Sequence, residues 1–90
     1  MSLVQLPGLG PKSTIMLANV GIYTLEDLTQ LGSVAAYLQV KRSGANASLN
    51  LLWALEGVLS RQPWQTVAKQ ERLRLLLALD DLQKQNPQGK

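Results

Sequence analysis

The chain has 90 residues, 46% of them hydrophobic and 17% charged, which is typical of one small globular domain and excludes a disordered segment. It contains no cysteine and no histidine, which excludes disulfides, thiolate metal sites and the commonest general base. The net charge of +3 permits a polyanionic partner without requiring one. We expect a single cytoplasmic domain over residues 1–90, with a core at about 6–85, a frayed tail at 86–90, no membrane span and no cofactor.

The first predicted helix follows the stretch LPGLGPKS, which spans residues 6–13 and contains two glycines and two prolines. Apolar residues at helical spacing place this helix at residues 15–20. Pro11 suits its first turn, where the missing N–H costs nothing, and Gly21 is placed to end it in the left-handed conformation.

Two further short helices are predicted in the middle of the chain. Thr24 is a favourable N-cap, and Asp27 follows it at the spacing of a capping box. Three leucines then repeat at helical spacing up to Gly32. Ser33 is expected to cap a third helix over residues 34–42.

The second half of the chain predicts two longer helices. Residues 43–48, SGANAS, have the composition of a turn, and Ser48 is expected to cap the apolar helix LNLLWALEGVLS. Gly57 lies inside that helix at a cost of about 1 kcal/mol, unless another backbone packs there. Pro63 ends it, and a last helix is predicted over residues 69–85. No segment alternates like a strand, so we expect an all-α fold of about five short helices.

The pattern Leu-Pro-Gly-Leu-Gly-Pro-Lys, followed by a helix and Gly-Ile-Tyr-Thr-Leu-Glu-Asp-Leu, resembles the helix-hairpin-helix family of DNA-binding modules. Glycine at Gly8 and Gly10 allows positive φ, so that backbone N–H groups can face an anion at the positive end of the next helix. Lys12 and Ser13 can add an ionic and a hydroxyl contact. Such a site holds DNA phosphates without reading sequence. A purely structural turn between helices is the alternative.

A second, degenerate copy of this hairpin is suggested by a helix that ends in Lys41 and Arg42, a turn, and a helix that opens at Ser48. Paired hairpins in the family grip the two DNA strands across the minor groove, so Lys41 and Arg42 join the expected phosphate-binding residues. This copy has only Gly44 in place of the paired glycines. The alternative for the two cations is a solvated helix end, where they complement the helix dipole.

A longer match narrows the family. The stretch LPGLGPKSTIMLANVGIYTLEDLTQLGSVAAYLQVKRSG, together with SLNLLWALEGVL and Trp64, is similar to the C-terminal domain of the TfoX/Sxy competence regulators of bacteria. The similarity runs from about Leu6 to Leu79. It implies a helix-hairpin-helix or SAM-like bundle within a transcriptional co-activator of natural transformation, which acts with the cyclic-AMP receptor protein or the transcription machinery. Full-length members usually carry another domain before it.

For each of three residues, two tryptophans and a glutamate, a structural role is weighed against a functional one. Trp53 lies in an apolar helix and is expected in the core. Trp64 is expected to fold back over that helix as a lid, with base stacking as the alternative. Glu56 needs partners if it is buried, and Trp64 Nε1, a backbone N–H or Lys12 could supply them. We expect its role to be structural.

The leucines of the last predicted helix cover more of its circumference than one face packed on a small core requires. One stripe contains Leu73, Leu76 and Leu77. The other stripe, which we predict as a protein interface, contains Leu75, Leu79 and Leu82. We expect this interface to bind a partner chain, a preceding domain or a second copy in a homodimer. The alternative is that both sides of the helix are buried within the domain.

These patterns favour a non-enzymatic regulatory module that acts by protein–protein interaction, with sequence-independent contact to duplex DNA as an accessory. The adjacent carboxylate pairs, Glu26-Asp27 and Asp80-Asp81, are interpreted as helix-start and surface charge rather than as a catalytic site. The alternative function is a primarily non-specific DNA-binding helix-hairpin-helix domain.

Overall fold

The computed structural model describes residues 9–85, and the fold is given for these residues. Its helices in chain order are α1 (Pro11–Ala18), α2 (Leu25–Leu31), α3 (Ser33–Arg42), α4 (Leu49–Ser60), α5 (Trp64–Thr66) and α6 (Arg72–Gln85), and a π-helical segment (Val67–Glu71) joins α5 to α6. Since α5, the π-helical segment and α6 follow one another without a break, they form one last helix, the fifth of the described chain. The predicted all-α fold is confirmed. The tail predicted at residues 86–90 lies outside the described residues.

The core lies around α4, which packs against α3 on one side and against α5 and the π-helical segment on the other. The buried cluster contains Leu9, Leu17, Ile22, Leu28, Ala36, Tyr37, Val40, Ala47, Leu51, Leu52, Trp53, Leu55, Val67 and Leu75. Full burial of a side chain such as Leu52 or Leu55 stabilises the fold by about 1.5–3 kcal/mol. Trp53 is 3% exposed, with the Arg72 guanidinium 6.0 Å from its ring centroid, which confirms its predicted place in the core.

The start of α2 is fixed by the predicted capping box. Thr24 Oγ1 accepts a hydrogen bond from the Asp27 N–H at 3.1 Å, and Asp27 Oδ2 accepts from the N–H groups of Tyr23 at 3.0 Å and Thr24 at 3.2 Å. These bonds, that from Tyr23 first, hold the pKa of Asp27 below its ordinary value of 3.8. Gly21 and Gly32 have φ values of +86° and +84°, so the predicted chain reversals after α1 and α2 are confirmed.

The structure corrects the predicted cap of α3. Gly32 occupies the N-cap position, and Ser33 is already the first residue of the helix. The Ser33 hydroxyl donates to Glu56 Oε1 of α4 at 2.7 Å instead of capping its own helix. Ser48 does lie at the N-cap position of α4, with extended backbone, but its side chain makes no capping hydrogen bond. Long-range packing therefore takes the Ser33 hydroxyl away from the local role that its position predicts.

The two ends of the chain differ in how well their helix starts were predicted. The first helix begins at Pro11, which confirms the prediction that this proline lies in its first turn, although the apolar spacing begins only at residue 15. The last helix begins at Trp64 instead of Lys69, directly after Pro63, whose extended backbone makes it the N-cap residue. The π-helical segment hides this start, since its wider turns break the helical spacing of the apolar residues.

Glu56 links α4 to two other helices. Besides its bond with Ser33, its Oε2 accepts a hydrogen bond from Arg74 Nη2 of α6 at 3.1 Å. Arg74 Nε also donates to Glu71 Oε1 at 2.6 Å, and the two carboxylates, Glu71 first, raise the pKa of Arg74. The predicted partners of Glu56, Trp64 Nε1, a backbone N–H and Lys12, were therefore wrong, because its side chain faces α3 and α6.

We expect Glu56→Ala to lower the free energy of unfolding by about 1–3 kcal/mol. The reason is that Ser33 is only 4% exposed, and its hydroxyl would lose the carboxylate oxygen that accepts its hydrogen bond. Urea denaturation followed by helical circular dichroism measures this change. Glu71→Ala is the matched control, since it removes only the more exposed ion pair with Arg74 and is expected to cost less than about 1 kcal/mol. Equal losses in the two variants would contradict the structural role of Glu56.

The turn after α4 packs directly on its helix at Gly57. A Cβ atom at this position would lie 2.7 Å from the carbonyl oxygen of Gln62 and 3.4 Å from the Trp64 nitrogen. Arg61, with φ of 59°, reverses the chain, and the Gln62 N–H donates to the Gly57 carbonyl at 2.9 Å. The expectation that another backbone packs against Gly57 is confirmed.

We expect Gly57→Ala to lower the free energy of unfolding by about 1–3 kcal/mol, because the added methyl group meets a backbone carbonyl, and this outweighs the gain of about 1 kcal/mol in helix propensity. Thermal and urea unfolding measure the change. Gly10→Ser is the control, since a Cβ there meets nothing within 4 Å and serine is a favourable N-cap. Unchanged stability of Gly57→Ala would show that the turn moves freely.

Candidate functional site

The amino-terminal ends of α1 and α4 meet at a surface groove of about 400 Å³, which we call the amino-terminal groove. Its polar and aromatic lining consists of Lys12 and Ser13 from α1, Asn46, Ser48 and Asn50 from the start of α4 and the loop before it, and Trp64 from α5. Packing of α4 against α5 therefore brings together residues that are far apart in the sequence.

The amino-terminal groove is suited to an anion. None of the described lining residues is acidic, and the exposed Lys12 supplies a positive charge. The first turns of two helices add their positive dipole ends, each worth about 0.3–1 kcal/mol toward an exposed anion. The Ser48 hydroxyl lies in the same lining, and a hydroxyl can donate to an anion. The arrangement can hold a phosphate by charge and hydrogen bonds and contains nothing that selects a base.

The hairpin glycines behave differently from the prediction. Gly10 has φ of −83° and ψ of 174°, so the expected positive φ is wrong at this position. The reason is that Gly10 is the N-cap of α1, a position that favours extended backbone, and its carbonyl accepts the Thr14 N–H at 3.1 Å. Gly8 lies outside the described residues. Of the predicted phosphate-binding residues, the groove thus brings together Lys12 and Ser13.

Lys41 and Arg42 lie in the last turn of α3 and do not line the amino-terminal groove. They border a separate depression with Leu38 and Gln83. Lys41 Nζ donates to the carbonyl of Ala47 at 3.4 Å, which links the end of α3 to the loop before α4. A phosphate contact by these two cations stays a prediction.

Trp64 forms one side of the amino-terminal groove and is 41% exposed. Its backbone packs on Gly57 of α4, while part of its indole remains open to solvent, so it is only a partial lid. Sequence reasoning did not place Trp64 in one groove with Lys12, and no local signal could have done so, because the two residues come together only through the tertiary packing of distant elements.

The interface predicted on the last helix is wrong for Leu75. This residue is 1% exposed and belongs to the core, and Leu79 packs partly buried against the same cluster. The large apolar residues that face solvent on α6 are instead Leu73, which is 71% exposed, and Leu77, which is 61% exposed. Leu76 of the same stripe packs partly buried against the core, so Leu73 and Leu77 are the residues of that stripe that face solvent. For Leu79 and Leu82, which is half-buried, an interface role stays a prediction.

We call the exposed side of the last helix the outer face, and define it by Lys69, Leu73, Leu77 and Asp80, all of which are exposed. In an α-helix, residues three or four positions apart lie on the same side, so Leu73, Leu77 and Asp80 follow one another on the side opposite Leu75. Lys69 lies in the π-helical segment, one turn before Leu73. Two leucines are thus flanked by a cation and an anion.

Residues 9–85 contain no cluster of metal-binding side chains and no membrane-spanning helix. No three side chains of the metal-binding types His, Cys, Asp and Glu come together there. The helices in the same range are also too short or too polar to cross a membrane.

Comparisons with known proteins agree with the resemblance seen in the sequence. The TfoX C-terminal domain family matches residues 1–79. The DNA transformation protein TfoX of Haemophilus influenzae is 32% identical over 84 residues, which cover 93% of this chain and 39% of that protein, so the chain spans well under half of its relative. No solved structure matches the chain at a significant level. The chain belongs to the TfoX C-terminal domain family.

Proposed function

We propose that this chain is a non-enzymatic regulatory module of DNA transformation that acts by binding another protein through the outer face of its last helix. The family, which includes a DNA transformation protein, supports the process. The exposure of Leu73 and Leu77 is the observation that carries the mode of action. The transcription machinery and the cyclic-AMP receptor protein, which the resemblance implied as partners, stay predictions.

The chemistry of the outer face supports protein binding. Leu73 and Leu77 are four residues apart, so their side chains are neighbours on consecutive turns. Burying an exposed leucine contributes up to about 1.5–3 kcal/mol, so the pair can supply the apolar centre of an interface. Lys69 and Asp80 at the two ends resemble the polar rim that surrounds such a centre.

The hydrogen bonds that both carboxylate oxygens of Glu56 make within the fold support a non-enzymatic role. Its two carboxylate oxygens bond to Ser33 and Arg74, and its side chain is 17% exposed. A carboxylate that acts as a general acid or base needs a free oxygen that faces a substrate. Glu56 instead holds α3, α4 and α6 together.

Contact with DNA phosphates is the second candidate function, and the amino-terminal groove is the observation that favours it. The groove combines Lys12, two helix amino termini and described lining residues none of which is a carboxylate. Non-specific binding to duplex DNA has dissociation constants of about 10⁻⁴–10⁻⁶ M, and a groove with Lys12 as its described cation belongs at the weak end of that range, which suits an accessory role beside protein binding.

We expect Leu73→Glu combined with Leu77→Glu to lower transformation frequency at least about tenfold, because two charges replace the apolar centre of the proposed interface. The substitutions are placed in the intact protein of its natural host, and transformants with a selectable DNA marker are counted. Ile15→Glu is the matched control, since Ile15 is 60% exposed on α1 and lies on another surface. Circular dichroism of each variant verifies the helical fold. Normal transformation by the folded double variant would refute the proposed function.

We expect Lys12→Glu to weaken duplex DNA binding by at least about threefold at low salt and to reduce the salt slope by about one phosphate contact. Backbone amide shifts of Lys12, Ser13 and Ser48 during titration with duplex DNA locate the contact. Lys84→Glu makes the same charge change at the far end of α6 and is expected to matter less. The DNA hypothesis fails if no groove amide shifts at low salt, or if both variants lose affinity equally.

A further inference from the structure

We propose that the protein bound by the outer face is a second copy of this chain, with the two last helices packed antiparallel about a two-fold axis level with Leu75. This inference rests on the proposed function, because it names the partner of the same face. It is carried by the order of apolar and charged residues along that face.

The leucines of the outer face are placed symmetrically about Leu75. Leu73 lies two residues before it and Leu77 two residues after it. When a second helix runs in the opposite direction, Leu73 of each copy therefore lies opposite Leu77 of the other. This gives the reciprocal contacts of a two-fold interface, in which residue i meets residue j and residue j meets residue i.

The charges on the outer face fit the same arrangement. Lys69 lies about one turn before the leucines, and Asp80, with Asp81 beside it, lies about one turn after them. Antiparallel packing about Leu75 places Lys69 of each copy opposite Asp81 and next to Asp80 of the other, so ion pairs close both ends of the apolar centre. Parallel packing would place lysine against lysine and aspartate against aspartate, and such like-charge contacts disfavour association.

Asp80 can accept this second cation. Its Oδ2 already bonds to Lys84 Nζ of the same chain at 3.0 Å, but the side chain is 60% exposed. A carboxylate has about four lone-pair positions, so it can receive a lysine from a second copy while it keeps its own. Lys69 is also exposed and can reach outward.

The expected association is weak, because an interface of about two helical turns belongs to the smallest size class. Sedimentation equilibrium of the 90-residue chain is therefore run from about 10 μM to about 1 mM. We expect the mass to rise from 9.8 kDa toward twice that value. Leu73→Glu combined with Leu77→Glu is expected to stay at 9.8 kDa, and Ile15→Glu is expected to associate like the unaltered chain.

A charge exchange tests the antiparallel contact itself. Lys69→Asp alone and Asp80→Lys alone each create like-charge contacts, and each is expected to weaken self-association at least about tenfold. An equal mixture of the two variants is expected to associate to within about threefold of the unaltered chain, because opposite charges then face each other at both ends. Both substitutions are at exposed positions, so the fold is expected to be retained.

The second-copy proposal is overturned if the unaltered chain stays monomeric at about 1 mM, or if mixing the two charge variants restores nothing. It is also overturned if Ile15→Glu abolishes association. These failures are distinct from failure of the proposed function. A monomeric chain whose Leu73→Glu, Leu77→Glu variant still loses transformation would point to a different protein on the same face.

Discussion

The backbone contact between Gly57 and Gln62 determines where the last helix begins and so positions both candidate surfaces. Since α4 has no side chain at Gly57, the chain can turn back within van der Waals distance and start α5 at Trp64. Because the last helix begins there, Trp64 lines the groove together with Lys12 and Ser13 of α1. The same helix then continues into α6, which packs against α3. The positions of the amino-terminal groove and of the outer face therefore both depend on the close packing of the chain against Gly57.

Local signals predicted most of the fold, because they act within a few residues. The Thr24 and Asp27 capping box and the reversal at Gly32 depend on neighbouring backbone groups, and both are found as expected. The roles of Ser33 and Leu75 could not be predicted in this way. Whether Ser33 caps its helix or meets Glu56, and which leucine stripe is buried, depends on elements that are distant in the sequence.

The candidate site also contains residues that local sequence predicts and residues that only tertiary packing brings in. Lys12 and Ser13 were predicted because a glycine- and proline-rich turn before a helix has recognisable chemistry. The same reasoning assigned Gly10 a positive φ, although its N-cap position demands extended backbone. The contributions of Asn50 and Trp64 to the groove follow only from the packing of three helices. The exposed Leu73 and Leu77 were seen as one of two stripes, but their exposure needed the tertiary structure.

The π-helical segment Val67–Glu71 has a consequence for how related sequences are aligned. A short π-helical turn accommodates extra length within an otherwise α-helical path. Removing a single residue there would let regular α-helix continue with the downstream residues on nearly the same faces, because the wider turn had absorbed that residue. The same deletion in regular α-helix would rotate everything downstream by about 100° around the helix axis. A one-residue gap at this point of an alignment is therefore compatible with a relative that presents the same downstream side chains to solvent.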